Sequence, residues 1–179
     1  MVARKGNIMQ TRSPQMVQCM AVTLLLAAAC VTPAFAQRSY NGFTSARIKI
    51  GAFFPSSSDG GSGTWLKLGV DAALPGVRPF SGAVTRVGID YETDFSSFAV
   101  PITVVELWHP SASPIYFGLG PGLYTGRIKG GNTQSRLGAR FVVGMDLHRN
   151  TFLELNYDVV GHFTNGRVDG LSIMLGKYF

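Results

Sequence analysis

Alternation of apolar and charged residues along the chain constrains its fold more than any other feature of the sequence. Between Ala83 and Glu92, one set of alternate positions reads Ala, Thr, Val, Ile, Tyr, and the other reads Val, Arg, Gly, Asp, Glu. Alternate side chains of a β-strand point to opposite faces, so this segment predicts a strand with one apolar face and one charged, small-residue face. The same pattern recurs up to the end of the chain at Phe179.

The recurrences predict eight strands, each about 10 or 11 residues long, which is the length a tilted strand needs to cross a bilayer. The predicted ranges are 44–54, 64–74, 83–93, 97–108, 115–125, 135–146, 151–160 and 170–179. Apolar runs after Gln37 stay short and glycines interrupt any helical period, so no helix is predicted there. The sequence therefore predicts an all-β fold, a single eight-stranded antiparallel up-and-down transmembrane β-barrel over residues 37–179.

The chain before Gln37 has the pattern of an export signal. An apolar run over residues 21–31 follows a basic segment, and Ala34-Phe35-Ala36 matches the small-x-small cleavage rule. Residues 1–36 are therefore predicted to be a cleavable signal peptide, with translation starting at Met1, Met9 or Met16. A transmembrane helix is the alternative, but the run is too short to span a bilayer comfortably. A lipoprotein anchored through Cys30 is a second alternative, although Ala27 stands where a larger aliphatic residue is expected.

Both cysteines of the chain, Cys19 and Cys30, lie in the predicted signal. The predicted mature chain therefore offers no thiol for disulfides, metal sites or nucleophilic catalysis. Three of the 16 basic residues also belong to the signal, so 13 basic residues remain against 10 acidic ones, a net charge of +3. This charge is too small and too dispersed to indicate a nucleic-acid partner.

The charged parity of the predicted strands is balanced. It carries six cations and six carboxylates: Arg47, Lys49, Lys67, Arg86, Arg136, Arg140, Asp71, Asp90, Glu92, Asp146, Glu154 and Asp158. The opposite parity is apolar, and its two charges, Glu106 and Lys177, lie near strand ends. Side chains just fill the interior of an eight-stranded barrel, so we expect the charges to pair across the lumen and glycines on the same parity to relieve crowding. In particular, we expect Arg86 to pair with Asp90 or with an acid on a neighbouring strand.

A soluble barrel or sandwich is the alternative, with the charged face outside and the apolar face inside. The export signal and the glycine-rich polar face favour lipid outside, since a narrow lumen needs small residues and a solvated surface does not. Aromatic residues near strand ends also suit the two membrane interfaces. They are Phe54, Tyr91, Phe98, Trp108 and Phe179.

The chain resembles the small eight-stranded outer-membrane barrels of Gram-negative-type bacteria, the OmpX-like proteins and the membrane domain of OmpA. The resemblance rests on residues 116–124, 152–157 and 171–179. It implies an outer-membrane location, a monomer surrounded by outer-membrane lipids, and recognition of the terminal strand, ending in Phe179, by the barrel-insertion machinery. The chain departs from the family pattern at Lys177, where an aromatic or aliphatic residue is usual.

One loop offers a candidate catalytic site. His162-Phe163-Thr164-Asn165 resembles the His-aromatic-Ser-Asn segment of outer-membrane lipid A deacylases, with Thr164 in place of the serine. A hydrolase also needs an orienting acid, for which Asp169 and Asp158 are the candidates. His109 and His148 are predicted to lie at turns on one end of the barrel and His162 in a loop at the other end, so we expect no metal site and no cofactor.

The sequence therefore favours a non-enzymatic outer-membrane barrel protein, structural or with loops available for adhesion or protection. Two alternatives stay open. One is a lipid A deacylase-like hydrolase using His162 and Thr164, and the other is a small-molecule binder or minor transporter.

Overall fold

The computed structural model describes residues 46–56, 63–74, 83–110, 113–147, 150–164 and 166–179. The predicted signal peptide, its cleavage site before Gln37, both cysteines and His148 lie outside the described residues.

The described residues form eight strands, and each corresponds to a predicted strand with bounds that differ by at most two residues. They are β1 (Ala46–Pro55), β2 (Trp65–Ala73), β3 (Ala83–Thr93), β4 (Phe98–Trp108), β5 (Ile115–Arg127), β6 (Gln134–Asp146), β7 (Thr151–Val160) and β8 (Gly170–Tyr178). No helix in the described part of the chain is long and apolar enough to cross a membrane.

The sheet closes on itself. Each strand pairs antiparallel with the next, and β8 pairs with β1 from Arg47 opposite Tyr178 to Pro55 opposite Gly170. The closure continues one residue further, because the amide of Phe179 donates a hydrogen bond of 2.9 Å to the carbonyl of Ala46. Every strand thus has two hydrogen-bonded neighbours, which is how a sheet avoids exposing unpaired backbone groups to lipid.

The apolar face points outward and the charged face lines the lumen. Ile50 and Leu119 are 54% and 45% exposed, whereas Lys67 and Arg140 are 0% and 1% exposed. A soluble barrel would require the reverse, so that alternative is wrong. The predicted fold class, an eight-stranded antiparallel transmembrane β-barrel, is confirmed.

Only some of the aromatic residues at the strand ends are exposed, as an aromatic girdle at a membrane interface requires. Phe54 and Phe179 are 40% and 44% exposed, but Tyr91 and Phe98 are 7% and 9% exposed and so do not contribute to an exposed aromatic girdle. The two charges on the outward parity, Glu106 and Lys177, lie near the ends of β4 and β8. Both ends belong to the same rim of the barrel.

We name the two rims by their connections. The turn end carries the connections 74–82, 109–114 and 147–150 and the start of β1, and the loop end carries the connections 56–64, 94–97, 128–133 and 161–169. The difference in length is modest, because the connections 74–82 and 94–97 run against the predicted rule of short turns and long loops.

Replacement of Ile89 by arginine tests the outward face. Ile89 lies near the middle of β3 on the outward parity, so Ile89→Arg should cost about 2–4 kcal/mol of folding free energy in a bilayer. Thr125→Arg, on the outward face near the loop end of β5, is the matched control and should cost about 0–1 kcal/mol. Urea titration of protein folded into lipid vesicles measures both values. Equal costs for the two variants would contradict a bilayer around the middle of the barrel.

Candidate functional site: lumen and loops

Ten charged side chains fill the middle of the lumen, and each is at most 6% exposed. They are the cations Arg47, Lys49, Lys67, Arg86 and Arg140 and the carboxylates Asp71, Asp90, Glu92, Glu154 and Asp158. A buried charge without a partner is very costly, so the way in which these groups pair decides whether the barrel is stable.

The turn-end cluster consists of Arg47, Lys49, Asp71, Arg86 and Glu154. The guanidinium of Arg47 binds Asp71 through two parallel contacts, Nε to Oδ1 at 2.8 Å and Nη2 to Oδ2 at 2.9 Å, and Nη1 lies 2.9 Å from Glu154 Oε2. The ammonium of Lys49 lies 3.2 Å from Asp71 and 3.4 Å from Glu154. Arg86 also contacts Asp71. Three cations therefore share two carboxylates.

Aromatic side chains surround Arg47. Its guanidinium carbon lies 4.6 Å from the ring centre of Phe152, a cation–π distance. The hydroxyl of Tyr116 accepts a hydrogen bond of 3.3 Å from Arg47 and donates one of 3.1 Å to Glu154. These contacts hold the Arg47 guanidinium on the sides that its carboxylate partners do not reach.

The loop-end cluster consists of Lys67, Asp90, Glu92, Arg140 and Asp158. Arg140 repeats the arrangement of Arg47, with Nε 2.7 Å from Asp158 Oδ1 and Nη2 3.0 Å from Oδ2, and it also contacts Asp90. Lys67 Nζ lies 2.6 Å from Glu92 and 3.0 Å from Asp158. Here two cations share three carboxylates, so the loop-end cluster is the electrostatic complement of the turn-end cluster.

An apolar cluster covers the charges at the loop end. Most of its members come from the strands, but Ile128, Phe163 and Val168 come from two loops. All are buried: Phe53, Trp65, Ala99, Tyr124, Ile128, Val160, Phe163 and Val168. We call this set the apolar cap. It separates the charged lumen from the loop-end surface.

Tyr124 joins the apolar cap to the charges below it. Its hydroxyl donates a hydrogen bond of 2.6 Å to Asp158. A methyl group added at Gly122 or at Gly138 would lie 2.8 Å from the same ring carbon of Tyr124. The expectation that lumen glycines relieve crowding is confirmed at these two positions, because no larger residue would leave room for the ring.

One expectation about lumen charges needs correction. Arg136 was predicted to face the lumen, but it is exposed, and its Nε donates to the carbonyl of His162 at 2.7 Å, because β6 extends past its pairing with β7 at that point. Arg86 pairs with Asp71, which confirms the expectation of a partner on a neighbouring strand. Asp71 also keeps Arg47 and Lys49 as partners, so the loss of Arg86 would not leave this carboxylate alone.

Three candidate catalytic residues, His162, Thr164 and Asp169, share one loop at the loop end, and two of them, His162 and Asp169, contact Arg167. The ring of His162 contacts Arg167, and the hydroxyl of Thr164 contacts Gln134. Asp169 accepts a hydrogen bond of 2.8 Å from the amide of Val160 and lies 3.7 Å from Arg167. None of these contacts is the nucleophile–base or base–acid pair that a hydrolase needs. Asp158, the other candidate acid, lies under the apolar cap in the loop-end cluster.

His109 lies at the opposite mouth of the lumen. Its ring stacks on Tyr116 at 5.0 Å between centres and approaches Asp146 to 3.9 Å. Partial burial lowers the pKa of His109 below its ordinary value, although Asp146 opposes the shift. Among the described residues, no group of three or more histidine, cysteine, aspartate or glutamate side chains is placed to hold a metal ion.

Sequence reasoning did not identify Tyr116 and Tyr124 as partners of the lumen carboxylates. The sequence does contain a signal for them. Both tyrosines occupy the same alternate positions of β5 as Gly118, Gly120 and Gly122, so their side chains must face the lumen. Phe163 and Val168 were missed for a different reason, because they lie in a loop without periodicity.

The closed sheet, the outward apolar face and the paired charges inside define a small eight-stranded membrane β-barrel protein. No protein-family model and no curated protein matches the chain. Among solved structures, the chain is similar to Neisserial surface protein A, with 18% identity over 79% of this chain and 100% of that chain and a TM-score of 0.48. The assignment to this class rests on the strand pairing and on the buried charges of the lumen.

Arg140 and Arg136 form a matched pair for testing the lumen network, because both lie on β6 on the same parity. Arg140→Met removes a partner from the buried Asp158 and Asp90, and should cost about 3–5 kcal/mol of unfolding free energy. Arg136→Met alters an exposed side chain and should stay within about 0.5 kcal/mol of the wild type. Urea titration in micelles measures the free energy of unfolding of both variants and of the wild type. A near-neutral Arg140→Met would show that the loop-end cluster does not stabilise the barrel.

Proposed function

We propose that this protein is a non-enzymatic outer-membrane β-barrel with a structural role, whose loops are presented at the cell surface for adhesion or protection. The filled lumen is the observation that carries the proposal. Ten paired charges occupy its middle, and the apolar cap covers them. Among the described residues, such an interior fills the barrel and leaves no open path across it.

The size of the cavity among the lumen charges also argues against a small-molecule site there. The cavity among the lumen charges has about 10 Å³ of space open to the centre of a water molecule, which is room for about one water. A small organic ligand needs a pocket of about 300 Å³ or more.

The proposed surroundings follow from the outward face and the last strand. Outer-membrane lipids would cover the apolar exterior, with the turn end in the periplasm and the loop end outside. The barrel-insertion machinery would recognise β8 and the terminal Phe179, which is 44% exposed. Residues 1–36 would direct export and then be cleaved as a signal peptide. The proposed protein is a monomer.

The connection between β3 and β4 supports a role in surface contacts. Phe95 is 81% exposed at its tip, with a positive φ of 70°. Asp94 fixes the turn by accepting hydrogen bonds from the amides of Ser96 and Ser97 at 2.9 and 2.6 Å. A left-handed conformation at a non-glycine residue costs about 1–2 kcal/mol, so the turn holds its backbone at that cost and exposes an aromatic side chain at its tip.

Conductance across a planar bilayer tests the filled lumen. Inserted wild-type protein should give no steady ionic current, because the charged clusters and the apolar cap close the path. Heat-modifiability on gels of the same sample confirms that folded barrels were added. A stable open channel in that sample would contradict the proposal and favour a transporter.

The lipid A acylation pattern of an expressing strain tests the absence of hydrolase activity. His162→Ala and Thr164→Ala should each leave the pattern of the wild type unchanged, because these side chains contact Arg167 and Gln134 instead of each other. Mass spectrometry of extracted lipid A provides the measurement. A deacylated species that is present with the wild type and lost in either variant would establish the hydrolase alternative.

A further inference from the structure

The cavity in the lumen has an unequal distribution of charge around it. Six charged side chains line it: Arg47, Lys49, Arg86 and Arg140 against Asp71 and Glu154. The charge of Arg140 is balanced by Asp90 and Asp158, which lie outside the lining. The turn-end cluster still holds three cations and two carboxylates, so one positive charge remains in excess beside the cavity.

The excess positive charge is local, because the three cations of the turn-end cluster share the same two carboxylates. Asp71 accepts two contacts from Arg47, one from Lys49 at 3.2 Å and one from Arg86. Glu154 contacts Arg47 and Lys49 and accepts a hydrogen bond from Tyr116. The compensating negative charge belongs to the loop-end cluster, and the link between the clusters, Lys49 to Asp90, is 4.0 Å long. At low local dielectric, a separation of charge of this kind is costly unless an ion offsets it.

The opposite wall explains why space exists next to these cations. It consists of small and apolar side chains from β3, β4 and β6, including Gly88, Thr103, Val105 and Val142. None of them supplies a carboxylate. The centre of a water-sized sphere can occupy about 10 Å³ of this space, which is room for one water molecule or one small ion.

We propose that this cavity is a binding site for a single small inorganic anion, of which chloride is the representative. The cations of the turn-end cluster attract the anion, and the wall around Gly88 limits its size. The bound anion neutralises the excess positive charge and so stabilises the folded barrel. This site is independent of the surface role proposed above.

Gly88→Ala is the variant that tests the site without altering any charge. A methyl group there would lie 3.1 Å from Asp71 Cβ and 3.4 Å from Thr103 Oγ1, so it enters the cavity with only slight displacement of its neighbours. Gly63→Ala is the matched control, because nothing lies within 4 Å of its added methyl group. Arg86→Gln is a second variant, which removes the excess charge while Asp71 keeps Arg47 and Lys49.

The experiment measures the thermal midpoint of the full folded protein in micelles as chloride or bromide replaces gluconate at constant ionic strength. The midpoint of the wild type and of Gly63→Ala should rise and then level off as the site saturates. Gly88→Ala and Arg86→Gln should lose this rise. Crystals of the wild type soaked in bromide should show an anomalous peak beside Arg86, and crystals of Gly88→Ala should not.

Two results would overturn the proposal. A midpoint that is the same in halide and gluconate, together with the absence of a bromide peak in the wild type, would show that the cavity holds water only. An equal halide response in Gly88→Ala and the wild type would show that halides act elsewhere on the protein. Neither result would affect the proposed surface role, which the conductance and lipid A measurements test.

Discussion

The bidentate pairing of arginine with aspartate between adjacent strands is the interaction on which the barrel depends. Arg47 and Asp71 are direct register partners on β1 and β2, and Arg140 and Asp158 are direct register partners on β6 and β7. A slip of one residue would turn a whole strand over and place charges in lipid. A slip of two residues would keep each side chain on its face of the sheet but would separate the arginine from its aspartate. The ion pairs therefore select one register among those that the alternation of apolar and charged residues allows.

The lumen charges also connect strands that are not neighbours. Glu154 on β7 receives Lys49 and Arg47 from β1, and Lys67 on β2 reaches Asp158 on β7. Inside the barrel the dielectric is low, so each of these contacts is stronger than it would be at a surface. The interior is therefore polar in composition but solid in packing, and it connects the strands across the lumen as the backbone ladder connects them around it.

The strands and their faces could be predicted from sequence, because both follow from local alternation. Arg136 shows where this reasoning ends: its parity is that of the lumen, but its strand has run past its neighbour by that residue. The partners across the lumen could not be predicted, because they depend on the tilt of the strands and join residues as distant in sequence as Lys49 and Glu154. The apolar cap was equally inaccessible, since Phe163 and Val168 belong to a loop whose path no period describes.

The hydrogen bond between Phe179 and Ala46 joins the residue that follows β8 to the first residue of β1. Because β8 provides the partner for β1, the sheet cannot close until β8 has been made. Closing so long a loop carries a large entropic cost that is recovered only by the final contacts, which makes the closing step slow. Until then both outer strands expose unpaired backbone groups, so the unfinished sheet requires protection in water and cannot rest in lipid.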